Sequence, residues 1–417
     1  MKKSFPLTRR TFLGSSAAMG AAAALAPLGA AASPQKAFEG GGEPLAVTMW
    51  DFSWLTRRTP PEAEYADFDR VLDDLAERGY NCVRMDAFPH LVAAGPDGKV
   101  EESFTMLPQN PSFMWGNHNE VEIEPRKDII IFMEKLKERG MRAGLSSWFQ
   151  DDATGRVGMV YSPEDFARVW GETLEFIAEH DLLDIIEWVD LCNEFPFPQW
   201  APGAVRYMRE QAGERLPIFV GSYSPEQKRI FAKFMSDSIE PLRSRFPEFS
   251  YCFSFGEGNG RSFEGVDFSY FDVLEPHIWL TQNYSFALAS GVWTPLFGVP
   301  KSTYSVRHSV SFYYNRFRDK WTAWLRDTLD GWIAISQKFK LPLYTTEAWG
   351  PINWEDLPAR YKEKEWDWVK DICEIGVTMS ADRGWTGICT SNFCGPQHDG
   401  MWEDVEWHRK VTRIIKG

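Results

Sequence analysis

Short apolar runs alternate with longer amphipathic segments along most of this chain. The first run covers residues 45–54, and the segment that follows, residues 64–80, places Phe68, Leu72 and Leu75 at helical spacing. Regular alternation of a strand-like run with a helix-like segment predicts a parallel sheet covered by helices.

Eight apolar runs have the length and composition of strands. They cover residues 45–54, 81–88, 141–149, 185–195, 251–256, 271–280, 341–349 and 385–393. Eight such units over about 350 residues predict an α/β fold of the closed (β/α)8 kind, a TIM barrel. The competing fold is a doubly wound open sheet, which usually carries a glycine-rich loop after its first strand. The sequence MWDFSWLT (49–56) contains no glycine, which favours the barrel.

The N-terminal segment has the features of an export signal. Arg9 and Arg10 precede Phe12, Leu13 and an alanine-rich stretch, a pattern typical of a twin-arginine signal peptide. The alternatives are an ordinary secretory signal or a membrane anchor, but the apolar stretch is short and weakly hydrophobic for a membrane span. We expect cleavage after Ala32, a periplasmic or extracellular location, and no membrane attachment after cleavage.

These patterns predict the domain organisation. Residues 1–32 form the signal peptide, residues 33–44 a short tail, and residues 45–417 one barrel domain. No linker rich in proline, glycine or serine divides the last of these segments.

Composition narrows the range of partners. The net charge is −14, and loss of the four cations and no acids in the signal would make it −18. Without a basic cluster, so acidic a chain is not expected to bind nucleic acid. The six cysteines include no CxxC pair, so we predict neither a metal site nor a cofactor. Nineteen tryptophans exceed what a core needs and favour a surface that binds ring-shaped ligands.

Acidic and amide side chains follow two of the predicted strands, where barrel enzymes build their sites. Asn193 and Glu194 follow the fourth strand, and Glu347 follows the seventh. Two carboxyl groups across one sugar ring are what glycoside hydrolysis requires, about 5–5.5 Å apart for retention and about 6.5–9.5 Å apart for inversion. The alternative for Glu194 is a structural carboxylate that caps the next helix.

With these residues the chain resembles the clan A glycoside hydrolases, the cellulase-like (β/α)8 enzymes, over roughly residues 45–410. The resemblance implies that residues 45–417 are a catalytic domain that cleaves β-linked glycosides with retention, by double displacement. It implies that Glu194 is the acid/base, Glu347 the nucleophile and Asn193 the amide that binds the sugar 2-hydroxyl. The implied partner is an oligo- or polysaccharide.

The resemblance extends to other strand ends. Arg84, in NCVRMDAF, matches the arginine that lies near the nucleophile. His277 and Trp279, in PHIW, match the subsite where cleavage occurs. Further candidate substrate contacts at strand ends are Trp54, Trp349 and Asn392. The eighth strand lacks the tryptophan that many relatives place under the cleaved sugar, and Phe393, Trp385 and Trp402 are the candidate substitutes.

The two glutamates need different protonation states. We expect the Arg84 guanidinium to lower the pKa of Glu347 and keep this carboxylate nucleophilic. We expect the neighbouring carboxylate and apolar walls to raise the pKa of Glu194.

Other functions remain open at this point. One is a catalytically silent carbohydrate-binding barrel or a transglycosylase, because such a protein can keep both glutamates. A cofactor-loaded oxidoreductase is the other, but the chain has no cysteine cluster, haem motif or dinucleotide fingerprint. The sequence leaves the sugar, the linkage, endo or exo attack and the oligomeric state undetermined.

Overall fold

The computed structural model of the protein describes most of the predicted barrel domain. The described residues are 36–38, 42–61, 63–109, 115–290, 303–350, 366–398 and 400–417, with only the backbone of 303–309. The predicted signal peptide, residues 1–32, lies outside the described residues. Ala37, in the predicted tail, donates its backbone N–H to the carbonyl of Arg383 at 2.8 Å, so this part of the tail contacts the domain.

The strands of the described chain are short, and several follow one another within a single predicted run. They are β1 (Leu45–Asp51), β2 (Cys82–Asp86), β3 (Phe104–Met106), β4 (Val121–Ile123), β5 (Arg142–Ser146), β6 (Ile186–Asp190), β7 (Ser250–Cys252), β8 (Ser254–Phe255), β9 (Glu275–Pro276), β10 (Ile278–Trp279), β11 (Tyr344–Thr345), β12 (Ala348–Trp349) and β13 (Gly387–Cys389). Strands β3 and β4 form a separate antiparallel pair.

The remaining strands close into a parallel barrel. Seven of them form one sheet in the order β11-β13-β1-β2-β5-β6-β7. The pairs β8–β9 and β10–β12, with a bridge between Leu274 and Leu343, join the two ends of this sheet. Each of the eight predicted runs therefore pairs with the next, and the eighth pairs with the first. The predicted (β/α)8 barrel is confirmed.

The helices lie between the strands in sequence, except for the last helix, which follows the last strand. They are α1 (Ser53–Thr56), α2 (Phe68–Glu77), α3 (Pro89–Val92), α4 (Pro125–Glu138), α5 (Pro163–Ala178), α6 (Pro202–Ala212), α7 (Pro225–Arg245), α8 (Tyr284–Ser290), α9 (Thr303–Arg316), α10 (Arg318–Phe339), α11 (Asp367–Asp382) and α12 (Val405–Lys416). Within the described ranges, none of these helices has both the length and the apolar character needed to cross a bilayer.

Helix α2 shows how local sequence sets these elements. The side chain of Asp67 accepts a hydrogen bond from the backbone N–H of Arg70 and caps the helix start. The predicted apolar face, with Phe68, Leu72 and Leu75, is buried. Burying each of these side chains contributes about 1.5–3 kcal/mol to the free energy of unfolding.

The interior of the domain is unusually aromatic. Fourteen of the nineteen tryptophans are buried. The expectation that tryptophan content reflects a ligand-binding surface is therefore largely wrong, because most of these rings fill the core. At one point in the barrel the wide Trp188 ring is accommodated by Gly144 on the neighbouring strand, where a Cβ atom would lie 2.1 Å from the indole.

Candidate active site

Glu194 lies just beyond the fourth barrel strand. Strand β6 ends at Asp190, and the chain continues to Glu194, which has a φ of 46°. The backbone N–H of Glu194 donates to Oγ of Ser254 at 3.0 Å, and that of Phe195 donates to the carbonyl of Ser254 at 2.8 Å. The fifth barrel strand therefore fixes the backbone that carries Glu194.

Glu347 lies at the corresponding place on the seventh barrel strand, between β11 and β12. Its carbonyl accepts a hydrogen bond from the N–H of Ile278 at 3.1 Å, which ties it to the sixth strand. The residue is 7% exposed. The strand is interrupted at Glu347. Its carboxylate contacts Arg84 in the barrel interior, while its backbone carbonyl stays hydrogen-bonded to the sixth strand.

The two glutamates meet at His277. Nδ1 of His277 lies 3.3 Å from Oε1 of Glu194 and 3.6 Å from Oε2 of Glu347. One carboxylate oxygen of Glu194, one of Glu347 and a ring nitrogen of His277 all lie within 4.8 Å of one another. Residues that are 153 positions apart in the sequence therefore form one compact cluster.

Arg84 supplies the positive charge beneath this cluster. Its guanidinium is fully buried, with Nη1 2.9 Å from Oε1 of Glu347 and Nη2 2.8 Å from Oδ2 of Asp190. Nη2 also donates to Oδ1 of Asn193 at 2.9 Å, and Nε lies 2.8 Å from Oε1 of Glu275 as an ion pair. A single arginine thus holds three carboxylates and the predicted sugar-binding amide in place.

Sequence reasoning missed two members of this network, Asp190 and Glu275. Both are fully buried inside apolar strand segments, IEWVD and LEPHIW. Glu275 accepts hydrogen bonds from Nε1 of Trp188 at 2.7 Å and from the hydroxyl of Thr346. An acid within an apolar strand is itself a signal, since a buried carboxylate needs partners.

Most of the remaining contacts of Glu194 come from indole groups. Nε1 of Trp279 donates to Oε1 at 3.2 Å, and Nε1 of Trp200 donates to Oε2 at 3.3 Å. Trp279 is partly exposed and Trp200 is buried. Trp279 therefore lies beside the cluster, and sequence reasoning missed Trp200.

The pKa directions of the glutamates are the reverse of those expected. Burial by itself would raise the pKa of Glu194, but hydrogen bonds from His277, Trp279 and Trp200 lower it below its ordinary value. Burial raises the pKa of Glu347, and the negative charge of Glu194 adds to this, against the opposing effects of His277 and Arg84. The physical reason is that the imidazolium donates to Glu194, while Glu347 lies deeper.

His277 carries a proton in this arrangement. Burial would lower its pKa, but the carboxylates of Glu347, Glu194 and Glu275 raise it from 6.5 to about 9. Below that pH the ring is a cation between two carboxylates. It therefore orients both glutamates and balances their charge.

Trp54 and Trp349 are packed in the interior at the ends of the first and seventh barrel strands. Trp54 is fully buried and donates Nε1 to the carbonyl of Asp86 at 3.0 Å. Trp349 is 1% exposed, donates Nε1 to the carbonyl of Cys389 at 3.0 Å and packs against Gly376 of α11. The packed interior satisfies both indoles, which argues against a direct sugar contact for either.

The candidates for a ring under the cleaved sugar are also packed. Phe393 is 1% exposed and packs against Trp366, and Trp385 is 3% exposed. The guanidinium of Arg78 lies over the ring of Trp402, 4.1 Å from the ring centroid. In contrast, Asn392 retains a buried Oδ1 with no hydrogen-bond partner in the described part of the chain.

Carboxylates and a histidine are also common metal ligands, and Glu194, His277 and Glu347 are close enough to bind one ion together. A second group, Asp190, Cys252 and Glu275, is equally compact. Arg84 already neutralises the second group, and the charged His277 occupies the middle of the first. A divalent cation would meet these positive charges directly, so the residues fit an acid/base site better than a metal site.

The chain is similar to known proteins in sequence and in fold. The chain matches the model of a family described as sugar-binding and cellulase-like over residues 47–416. A protein of Parabacteroides distasonis ATCC 8503, provisionally named a glycoside hydrolase, is 36% identical, with 89% of this chain and 93% of that chain covered and a TM-score of 0.78. None of the curated proteins matches this chain.

A more distant solved structure shares the fold alone. It is the clostridial cellulose synthase subunit Z from Clostridioides difficile, at 11% identity, with 89% of this chain and 99% of that chain covered and a TM-score of 0.50. The family match spans nearly the whole barrel and includes both glutamates. The chain therefore belongs to the cellulase-like family of clan A glycoside hydrolases.

Proposed function

We propose that this protein is an exported retaining glycosidase that cleaves β-linked glycosides by double displacement. The observation that carries this proposal is the approach of Glu194 and Glu347, whose nearest cluster oxygens lie within 4.8 Å. Retaining enzymes need about 5–5.5 Å between the carboxyl groups, whereas inverting enzymes need about 6.5–9.5 Å to accommodate a water molecule. The observed approach favours direct attack by one carboxylate.

The roles follow from the partners of each glutamate. Glu347 is held by the Arg84 guanidinium, whose fixed positive charge favours the carboxylate form that attacks the anomeric carbon. Glu194 lies on the opposite side of the barrel mouth and donates a proton to the leaving oxygen. Once the glycosyl–Glu347 ester has formed, Glu194 removes a proton from water, which then attacks the ester.

Asn193 supports the charge that develops on the sugar. Its Oδ1 accepts from Arg84, so the amide orientation is fixed, and its Nδ2 is buried with no hydrogen-bond partner in the described ranges. An amide donor held this way can bind the sugar 2-hydroxyl. Such a bond strengthens as oxocarbenium character develops in the transition state.

The mechanism requires a proton on Glu194 and an ionised Glu347. Substrate binding must therefore reverse the relative pKa values that the two glutamates have in the free protein. In the free protein, the pKa directions favour a proton on Glu347 rather than on Glu194. A bound glycoside places its leaving oxygen beside Glu194, where a protonated carboxyl can donate to it. Positive charge at the anomeric carbon stabilises ionised Glu347 at the same time.

Hydrolysis of a panel of aryl β-glycosides and β-linked polysaccharides tests this proposal. We expect activity in the wild type, with the β-anomer as the first product detected by NMR. We expect Glu347→Gln and Glu194→Gln each to lower kcat by more than about 10³-fold. Inversion, or an unimpaired Glu347→Gln variant, would contradict double displacement. Binding without cleavage would favour a silent carbohydrate-binding barrel, and transfer to sugar acceptors a transglycosylase.

A further inference from the structure

Three polar side-chain atoms at strand ends are buried without a hydrogen-bond partner among the described residues. They are Oδ2 of Asp51, Nδ2 of Asn193 and Oδ1 of Asn392. Buried polar groups are nearly always hydrogen-bonded, and one left alone costs about 1–3 kcal/mol. The three residues lie at or beyond the ends of the first, fourth and eighth barrel strands, the edge of the barrel where a bound polar ligand can supply missing partners.

Asp51 is the member of this set with no role so far. It is the last residue of β1, is 1% exposed, and accepts a hydrogen bond from the backbone N–H of Ser53 at Oδ1, at 2.5 Å. Burial, reinforced by the charge of Glu347, raises the pKa of Asp51 to about 8 against the opposing effects of Ser53 and Arg57. At neutral pH the proton therefore belongs on Oδ2, which can both donate and accept.

The strand order locates Asp51 relative to the predicted nucleophile. Strand β13 pairs with β11 on one side and with β1 on the other. Glu347, Asn392 and Asp51 therefore follow three consecutive barrel strands, and the carboxyl groups of Asp51 and Glu347 interact electrostatically. Glu194 follows the fourth barrel strand, on the opposite side of the barrel from these three strands. The ends of β13 and β1 are therefore the strand ends next to the predicted nucleophile, where a sugar bound over Glu347 can reach Asp51.

We propose that Asp51 is a specificity-determining residue whose free Oδ2 hydrogen-bonds a ring hydroxyl of the neutral sugar that is cleaved over Glu347. This inference rests on the proposed function and narrows it to a substrate class. A hydroxyl both donates and accepts, which matches a neutral carboxyl group. A uronic acid would instead bring a negative charge next to Glu347, which must be ionised to attack, so the site disfavours charged sugars.

Deoxy substrates test this assignment in the mature protein. The probes are p-nitrophenyl β-glucoside, galactoside, mannoside and xyloside, each with its monodeoxy analogues. We expect the wild type to lose roughly 10–10³-fold in kcat/KM when one particular hydroxyl is absent, because a buried polar group then stays unpaired. We expect Asp51→Ala to lower kcat/KM for the parent glycoside by a similar factor and leave that deoxy analogue almost unchanged.

Asp51→Asn serves as a second variant if Asp51→Ala does not fold. It keeps the acceptor for Ser53 and offers only a donor in place of Oδ2. We therefore expect a smaller difference in kcat/KM between the parent glycoside and its deoxy analogue than in the wild type. Asp86→Asn is the matched control, because Asp86 is also a buried strand-end carboxylate, but both of its oxygens already accept backbone N–H groups. Any loss in that variant should be equal for all substrates.

The outcomes separate this proposal from the proposed function. If both Asp51 variants cleave the probes and prefer the parent glycoside over its deoxy analogue as strongly as the wild type does, the role of Asp51 is overturned. The proposed hydrolase function is then unaffected. If the wild type cleaves none of the probes, the binding of methyl β-glycosides to the wild type and to Asp51→Ala is measured by calorimetry. Binding that is lost in Asp51→Ala supports Asp51 as a sugar ligand in a protein that is not a hydrolase. Absence of both cleavage and binding overturns both proposals.

Discussion

Nη1 of Arg84 lies 2.9 Å from Oε1 of Glu347, and Glu347 is almost completely shielded from solvent. This contact joins the second barrel strand to the seventh across the interior. Because the guanidinium also contacts Asp190 and Glu275, its charge is shared among buried carboxylates. Site geometry and fold stability therefore depend on the same side chain.

Replacing Arg84 should destabilise the protein as well as inactivate it. In Arg84→Met, three buried carboxylates would lose their counter-charge, and we expect a loss of about 3–5 kcal/mol in the free energy of unfolding, measured by urea denaturation. Arg84→Lys keeps the charge but has one ammonium for several partners, so a smaller loss is expected. A Met variant as stable as wild type would show that the buried network contributes no net stability.

The raised pKa of His277 predicts a pH-dependent stability. A histidine whose pKa rises from 6.5 to about 9 on folding stabilises the protein fully below pH 6.5, and this stabilisation is lost as pH rises through 9. We expect about 3 kcal/mol from this effect. The difference in free energy of unfolding between wild type and His277→Gln should shrink from pH 6 to pH 10. A difference that stays constant over that range would contradict a charged His277.

Gly144 should be sensitive to a single methyl group. A Cβ atom there would lie 2.1 Å from the ring of Trp188, whose Nε1 donates to Glu275. We expect Gly144→Ala to lower the free energy of unfolding by about 1–3 kcal/mol and to reduce activity by displacing this indole. Gly158→Ala is the matched control, because its Cβ would meet no atom within 4 Å, and it should change stability by less than about 0.5 kcal/mol.

The proposed export signal can be tested independently of the enzyme. Replacing Arg9 and Arg10 together by lysine should keep the precursor in the cytoplasm, because the pathway reads the arginine pair. Cell fractionation measures the location, and mass spectrometry of the exported protein should find an N-terminus at Ser33. Normal export of the double variant would rule out the twin-arginine interpretation.

The barrel was predictable because each strand run is apolar on both faces. All residues of β1 are buried, which is the pattern of a parallel strand covered by helices. The hairpin of β3 and β4 escaped prediction, since each strand has only three residues and exposes its middle side chain or part of it. Strand breaks at His277 and Glu347 also escaped, because they arise from polar contacts between distant segments.

The candidate site was predictable in its residue types but not in its electrostatics. Glu194 and Glu347 were proposed because they stand at the ends of apolar runs, and Arg84 because its segment resembles that of clan A glycoside hydrolases. The pKa expectation for Glu194 failed because it left out the hydrogen bond from His277, and the one for Glu347 failed because burial outweighs the effect of Arg84. The packing of Trp54 could not be predicted for a similar reason, since a strand-end ring can turn inward as easily as toward a ligand.

Covalent labelling tests the central claim most directly. A 2-deoxy-2-fluoro glycoside with a good leaving group, matched to a sugar that the wild type cleaves, slows hydrolysis of the glycosyl–enzyme ester so that it accumulates. Peptide mass spectrometry of the trapped protein should find the sugar on Glu347, with labelling absent from Glu347→Gln. A label on Glu194, or no covalent adduct despite cleavage of the parent glycoside, would contradict the assignment of Glu347 as nucleophile.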